Sequence, residues 1–220
     1  PVGEGDWGEP IYAVKISDNP HLDELDEPDT LLNGCIHARE WVSTEFLLYV
    51  MQQLLEQYDS DETITEWVNS NELWFIPVAN PDGRKYDGED DPEDFSTTPP
   101  DGGGWRKNRR TGINDVEYEV DCDGIITATP HWEEPYEGVD PNRNFPFDRQ
   151  KPDCNNLDNQ DPPPADAEYI RELNPAERVY HGESAFSESE TRVLRNFIQS
   201  HNFQLVLDYH SNAQKIIYTR

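Results

Sequence analysis

The sequence predicts an α/β fold, and three observations carry that prediction. Short apolar, β-branched runs alternate along the chain with stretches of helical periodicity, which is the pattern of a sheet flanked by helices. The apolar fraction is low at 34%, but aromatic residues make up 11% of the chain, enough to build a core. No apolar run is long enough to cross a bilayer, and no internal repeat is visible. A length of 220 residues corresponds to one domain or a large piece of one.

The elements follow in order. Ile11 to Ser17 (IYAVKIS) reads as a strand, and Thr30 to Ile36 (TLLNGCI) as a second. The acidic stretch between them, broken by Pro20 and Pro28, reads as a loop. From Trp41 to Tyr58 the pattern turns helical, with Leu47, Val50, Met51, Leu54 and Tyr58 on one face. Thr63 to Val68 reads as a short helix and Glu72 to Val78 as a third strand. From Asn80 to about Pro175 the chain is rich in Asp, Pro, Gly and Asn, and is expected to be loop. A loop of that length inside a domain is usually functional or disordered, and its Arg and aromatic clusters favour function. Ser187 to His201 is expected to be helical, with Ser187 and Glu190 forming a capping box. Leu205 to His210 (LVLDYH) reads as a buried strand, and Ile216 to Tyr218 as the start of another.

Forty-six acidic residues face 17 basic ones, a net charge of −29. Such a surface repels phosphate backbones and argues against nucleic-acid binding. Only five of the basic residues are Lys, against twelve Arg. An acidic, Lys-poor surface suits a protein that stays soluble at high salt, so a halophilic source is one expectation and an ordinary acidic secreted protein the other. Pro1 is not preceded by an initiator Met or a charged-then-apolar leader, which suggests a fragment or a processed form. Three cysteines make no disulfide framework. Cys35 is expected to be a buried thiol. Cys122 and Cys154 lie in polar sequence and could pair, which would place the protein in an oxidising compartment.

Candidate metal ligands are His37 and Glu40, three residues apart where a strand gives way to a helix, so that both side chains can face one ion. A third ligand must come from elsewhere. His210 ends the strand LVLDYH, and the carboxyl ends of strands are where α/β folds place their sites. His-x-x-Glu alone is a weak signal.

The surrounding motifs sharpen it. GCIHAREW at 34–41, NPDG at 80–83, WRKNRR at 105–110, GVDPNRNF at 138–145, YHGESAFSESET at 180–191 and LDYHS at 207–211 resemble, in order, the motifs of the zinc carboxypeptidases of the A/B family. The resemblance implies a mixed sheet flanked by helices, incomplete at both ends. On this reading residues 1–220 are a partial catalytic domain lacking its C-terminal third. It also implies one zinc ion held by His37, Glu40 and His210, with Asp140 orienting His37. Asn142 and Arg143 match the pair that grips a peptide's terminal carboxylate, Arg106 the oxyanion-stabilising Arg, and Arg39 a contact further along the peptide. The implied reaction is zinc-dependent hydrolysis of the C-terminal peptide bond of peptides or proteins. The implied protein is a secreted monomer with no membrane or nucleic-acid partner.

The family's general-base Glu, its closing Tyr and its side-chain pocket map beyond Arg220, so the chain is expected to lack them. The segment between WRKNRR and GVDPNRNF is longer than expected for the animal digestive enzymes. Two alternatives remain open: a related zinc amidohydrolase acting on small acylated amino acids, and an inactive homologue that binds zinc or peptide tails. Arg109 and Arg110 receive no role beyond surface charge. His21, His131 and His201 are expected to be solvated, His181 is not a ligand, and Asp121–Gly124 reads as a turn, not a calcium loop.

Overall fold

The computed structural model describes residues 1–89, 104–111, 117–120, 124–127, 138–146, 178–211 and 215–217. Cys122, Cys154, His131 and Asp121 to Asp123 lie outside the described residues, as do the expectations attached to them.

A four-stranded mixed sheet forms the centre. Its strands are β3 (Val14–Ile16), β4 (Asp29–Gly34), β5 (Glu72–Ile76) and β8 (Phe203–Tyr209), in the order β3-β5-β4-β8. Strand β4 runs parallel to both neighbours, and β3 is antiparallel to β5. Because side chains alternate across a strand, one sequence feeds two cores. On one face Leu31 and Ile76 pack with Ile11, Ile36, Leu194 and Phe197, under helix α4 (Ser189–Gln199). On the other, Phe75 and Ile16 pack with Leu47, Leu54 and Val68, under helices α1 (Trp41–Gln57) and α2 (Glu62–Asn69). The expected α/β arrangement is therefore present, with helices on both faces.

Gly34 shows how tightly α1 sits on β4. A Cβ there would come within 2.9 Å of Leu47 Cδ1 and 3.4 Å of the Ser43 carbonyl, so a larger residue would force the Leu47 side chain to shift.

Five expectations need correction. The run from Ile11 to Ser17 is not one strand. Its start belongs to β2 (Pro10–Ile11), which pairs with β1 (Gly3–Glu4), and the chain changes partners before β3. The stretch after Asn80 is not all loop. Helix α3 (Pro81–Glu89) begins there, with Pro81 in its first turn and Asn80 Oδ1 accepting from the Gly83 amide at 3.0 Å. An antiparallel pair of strands, β6 (Glu117–Val120) and β7 (Gly124–Thr127), follows. The capping box on α4 does not form. Glu188 is the N-cap and makes no side-chain cap bond, Ser187 Oγ donates to the Glu188 carboxylate, and Glu190 turns inward to accept from Asn108. Strand β8 is not buried. Leu205, Val206 and Leu207 are 48%, 42% and 37% exposed, because β8 lies at the sheet edge with β4 as its one strand neighbour among the described residues. Residues 215–217 are likewise not in a strand.

Candidate metal centre

The parallel pair β4 and β8 sets the site. Gly34 and Tyr209 are register partners, so the residues that follow each strand emerge at the same end of the sheet. Past Gly34 the chain takes a left-handed step at Cys35 (φ 52°). The step is held by the Ala79 amide on the Gly34 carbonyl (2.9 Å), the Asn80 amide on the Cys35 carbonyl (3.1 Å), and the Cys35 amide on Ser43 Oγ (2.9 Å). A tight turn then joins the Glu40 amide to the His37 carbonyl at 3.0 Å, and Glu40 becomes the N-cap of α1. Two residues with unremarkable spacing are thereby locked onto one turn. Cys35 is fully buried, as expected, and burial pushes its thiol up to about 11.

His37, Glu40 and His210 converge. His37 Nδ1 lies 2.9 Å from Glu40 Oε1, His210 Nδ1 lies 2.9 Å from Glu40 Oε2, and the two Nδ1 atoms are 3.1 Å apart. The Ser211 amide also donates to Glu40 Oε2 at 3.0 Å. The opposite ring nitrogens face carboxylates: His37 Nε2 is 3.2 Å from Asp140 Oδ1, and His210 Nε2 is 3.1 Å from Asp208 Oδ2. With a cation at the centre, each imidazole would hold its proton on Nε2, against a carboxylate that only accepts, and turn the Nδ1 lone pair inward. Two imidazole nitrogens and a carboxylate meeting at one point can hold a cation.

The donor set fits zinc. Tetrahedral coordination at Zn–N and Zn–O lengths of about 2.0–2.2 Å gives ligand–ligand edges of roughly 3.3–3.5 Å, a few tenths above the separations here. The electrostatics agree. Burial opposes a charge on Glu40, but His210 and His37 hold its carboxyl well below the usual range. Burial likewise opposes charge on His210, yet Asp208 and Glu40 push the imidazole up to about 10, so that a proton supplies the positive charge when no metal does.

Asp140 does two jobs. Its Oδ1 accepts from the Asn142 amide at 2.9 Å and so caps the 3-10 turn Pro141–Arg143, while the same oxygen faces His37. Its Oδ2 accepts from Arg106 Nε at 2.8 Å. Asp140 is fully buried, which alone would raise its pKa, but His37 and Arg106 bring it down to about 2. Gly138, at φ 79°, lets this segment approach: a Cβ there would lie 2.4 Å from the Asn108 carbonyl. Arg106 is also tied to the metal turn through its carbonyl, which accepts from the Ala38 amide at 3.1 Å.

The 3-10 turn places Asn142 and Arg143 beside the centre, and Asn142 Nδ2 comes within 3.3 Å of His210 Nε2. Arg39 is half-buried on the turn that carries His37 and Glu40, with Gly104 packed against its Cβ. All eight expected site residues thus fall at one end of the sheet.

Sequence reasoning missed several others. Asp208 and its partner Asn33 (Nδ2 to Oδ1, 2.8 Å) support His210, and the two-residue spacing of Asp208 from His210 on a strand was the available signal. Asp87 accepts from Trp41 Nε1 at 2.7 Å and from the Trp105 amide, joining the residues next to Glu40 and Arg106. Arg109 is not surface charge. It is 4% exposed, its guanidinium 3.7 Å from the Tyr86 ring centre and 4.5 and 4.9 Å from those of Trp7 and Trp105. Arg110 pairs with Glu188 (2.8 Å) and Glu183 (3.2 Å). His201 packs among Phe197, Trp74 and Phe203 instead of standing in solvent.

A family model described as zinc carboxypeptidase matches residues 2–219. The chain belongs to the zinc carboxypeptidase family. Carboxypeptidase B of Helicoverpa zea is 30% identical over 215 residues, which cover 96% of this chain and 38% of that protein. The crystal structure of carboxypeptidase A from Helicoverpa armigera matches with a TM-score of 0.61 at 27% identity, over 96% of this chain and 40% of that one. An inactive metallocarboxypeptidase of Talaromyces marneffei is 27% identical over 226 residues, 99% of this chain and 30% of its own length. The chain therefore spans well under half the length of these relatives. Members of the family use one zinc ion, and His37, Glu40 and His210 form a possible site for it here. No described helix is long and apolar enough to cross a membrane.

Proposed function

We propose that this protein is a zinc-dependent metallocarboxypeptidase that releases the C-terminal residue of peptides or proteins. The convergence of His37, Glu40 and His210 immediately beside Asn142 and Arg143 carries this reading. His37, Glu40 and His210 would hold the zinc ion, which supplies Lewis acidity and a nucleophilic water at neutral pH. Arg143, with Asn142, binds the free terminal carboxylate, since a planar guanidinium meets a carboxylate through two parallel hydrogen bonds and fixes its register. That contact limits cleavage to the last residue. Arg106 places positive charge where the scissile carbonyl oxygen becomes negative, and Asp140 holds Arg106 through Nε while keeping the proton of His37 on Nε2. Arg39 contacts the peptide upstream of the cut. We assign no residue of this chain to the general base.

The test compares a peptide bearing a free C-terminus with its C-terminal amide. Zinc-dependent hydrolysis of the first only is expected, and equal cleavage of both would sink the clamp. A second reading rests on the relative named inactive: a homologue that binds zinc without hydrolysis. Stoichiometric zinc with no turnover of any peptide would select it, and turnover of small acylated amino acids in place of peptides would select an amidohydrolase. We further propose that the protein is secreted, monomeric and active at high salt, in keeping with its charge of −29.

A further inference from the structure

We propose that Asp208 is a positioning residue for the second imidazole ligand, fixing the His210 ring and its tautomer, with Asn33 as its anchor. The inference rests on the metal-centre reading above and deepens it.

The geometry starts in the sheet. Asn33 on β4 and Asp208 on β8 are register partners in a parallel pair, and Asn33 Nδ2 donates to Asp208 Oδ1 at 2.8 Å. Asp208 and His210 are two residues apart, so the strand's alternation sends both side chains to the same side. Asp208 Oδ2 then lies 3.1 Å from His210 Nε2. One carboxylate thus bridges the rigid centre of the sheet and the imidazole that follows it.

Asn142 Nδ2 also stands 3.3 Å from His210 Nε2. If it donated there, the imidazole proton would sit on Nδ1, and the Asp208 carboxylate would face a bare lone pair. Glu40 Oε2 faces the other nitrogen, Nδ1, at 2.9 Å, so once a cation takes the Nδ1 side Asp208 is the acceptor that holds the ring and its proton at Nε2.

The centre has two matched arms, and they are not equivalent. On the first, Asp140 is fully buried and its second oxygen takes a guanidinium, Arg106. On the second, Asp208 is about one-third exposed, at 32% of its side chain, and its second oxygen takes a neutral amide. The negative charge of Asp208 is not offset by that partner and adds to the electron-donating power of His210. A carboxylate behind a metal-bound imidazole raises ligand basicity and orients the ring, and loss of such a partner typically weakens metal binding by about 10–100-fold.

The test measures zinc affinity by competition with a chelator, alongside the His210 tautomer by nitrogen NMR. Asp208→Ala is expected to weaken zinc binding about 10–100-fold and to shift His210 away from Nε2–H. Asp208→Asn keeps an acceptor and loses the charge, so a smaller, several-fold loss is expected. Asn33→Ala should fall between Asp208→Asn and the unmodified protein. A purely structural role would lower the melting point of the metal-free protein and leave zinc affinity and tautomer unchanged, and that result overturns the proposal. Should Asp208→Ala fail to fold, unchanged zinc affinity in Asp208→Asn overturns it equally. His210→Ala separates the two levels. If it abolishes zinc while both Asp208 variants bind normally, only this inference falls. If the unmodified protein takes up no zinc, the metal centre falls with it.

Discussion

Glu190 should make the fold less stable as pH rises through the neutral range, and replacing it with Gln should remove that dependence. Glu190 sits in the first turn of α4 with no exposed surface, and its Oε1 is buried without a hydrogen-bond partner. Burial, with added repulsion from Asp6 and Glu188, outweighs the bond from Asn108 and lifts its carboxyl from 4.5 to about 8. A carboxyl whose folded pKa is raised binds a proton more tightly folded than unfolded. Between 4.5 and about 8 the folded state then holds more protons, so stability falls as pH rises across that window and levels off above it. The slope for one group is about 1.4 kcal/mol per pH unit, which integrates to the order of 4 kcal/mol by pH 8. Against a typical folding free energy of about 5–15 kcal/mol, that is a large share. Gln keeps an oxygen for Asn108 and has no charge to bury. Urea unfolding of both proteins at pH 5, 7 and 9 isolates the effect, because every other titration is common to the two. Glu190→Gln should be similar to the unmodified protein at pH 5 and several kcal/mol more stable at pH 9. A stability difference that does not change with pH would refute the reasoning.

The remaining expectations concern the site and the surface. Arg143→Ala should raise KM for a free-C-terminus peptide about 10–100-fold, the equivalent of about 1.5–3 kcal/mol for bonds to a charged group, and erase the preference over the amide. Unchanged discrimination in steady-state kinetics would remove Arg143 from the clamp. His210→Ala should abolish stoichiometric zinc by elemental analysis, and full retention would rule it out as a ligand. Raising KCl from about 0.1 to about 1 M shortens the screening length from about 10 to about 3 Å. With a net charge of −29, the unfolding midpoint and activity should both rise, and a flat salt profile would argue against a halophilic surface.

Much of the sheet was legible because its signal is local. Leu31, Leu32, Phe75 and Ile76 alternate between two cores, and that alternation is written in short apolar runs. Helix α3 was illegible by the same criterion. Its residues PDGRKYDGE carry no apolar stripe, and polar bonds hold it in place: Asp82 accepts from the Trp7 and Glu9 amides, and Asp87 from Trp41 and Trp105. The Asn-Pro start was the cue, a cap and a first-turn proline with no periodicity behind them. Strand β8 shows the converse error. Its composition implies burial, but burial depends on neighbours that a strand's own residues do not encode.

The site divides along the same line. His37, Glu40 and His210 were expected as ligands because six ordered motifs resemble those of the zinc carboxypeptidases, and short motifs identify ligands by residue type. Asp208 and Asn33 were not, because their role depends on a register between β4 and β8 that spans 175 residues of sequence. The metal ligands alone would leave the protons of the two imidazoles unassigned. Asp140 and Asp208 face their outer nitrogens, and both do so from positions fixed by the fold: one by the cap of a 3-10 turn, the other by strand pairing. The chemistry of the centre is thus specified twice, once by which atoms are present and once by which of them carry hydrogen. The second specification is the one that requires the fold.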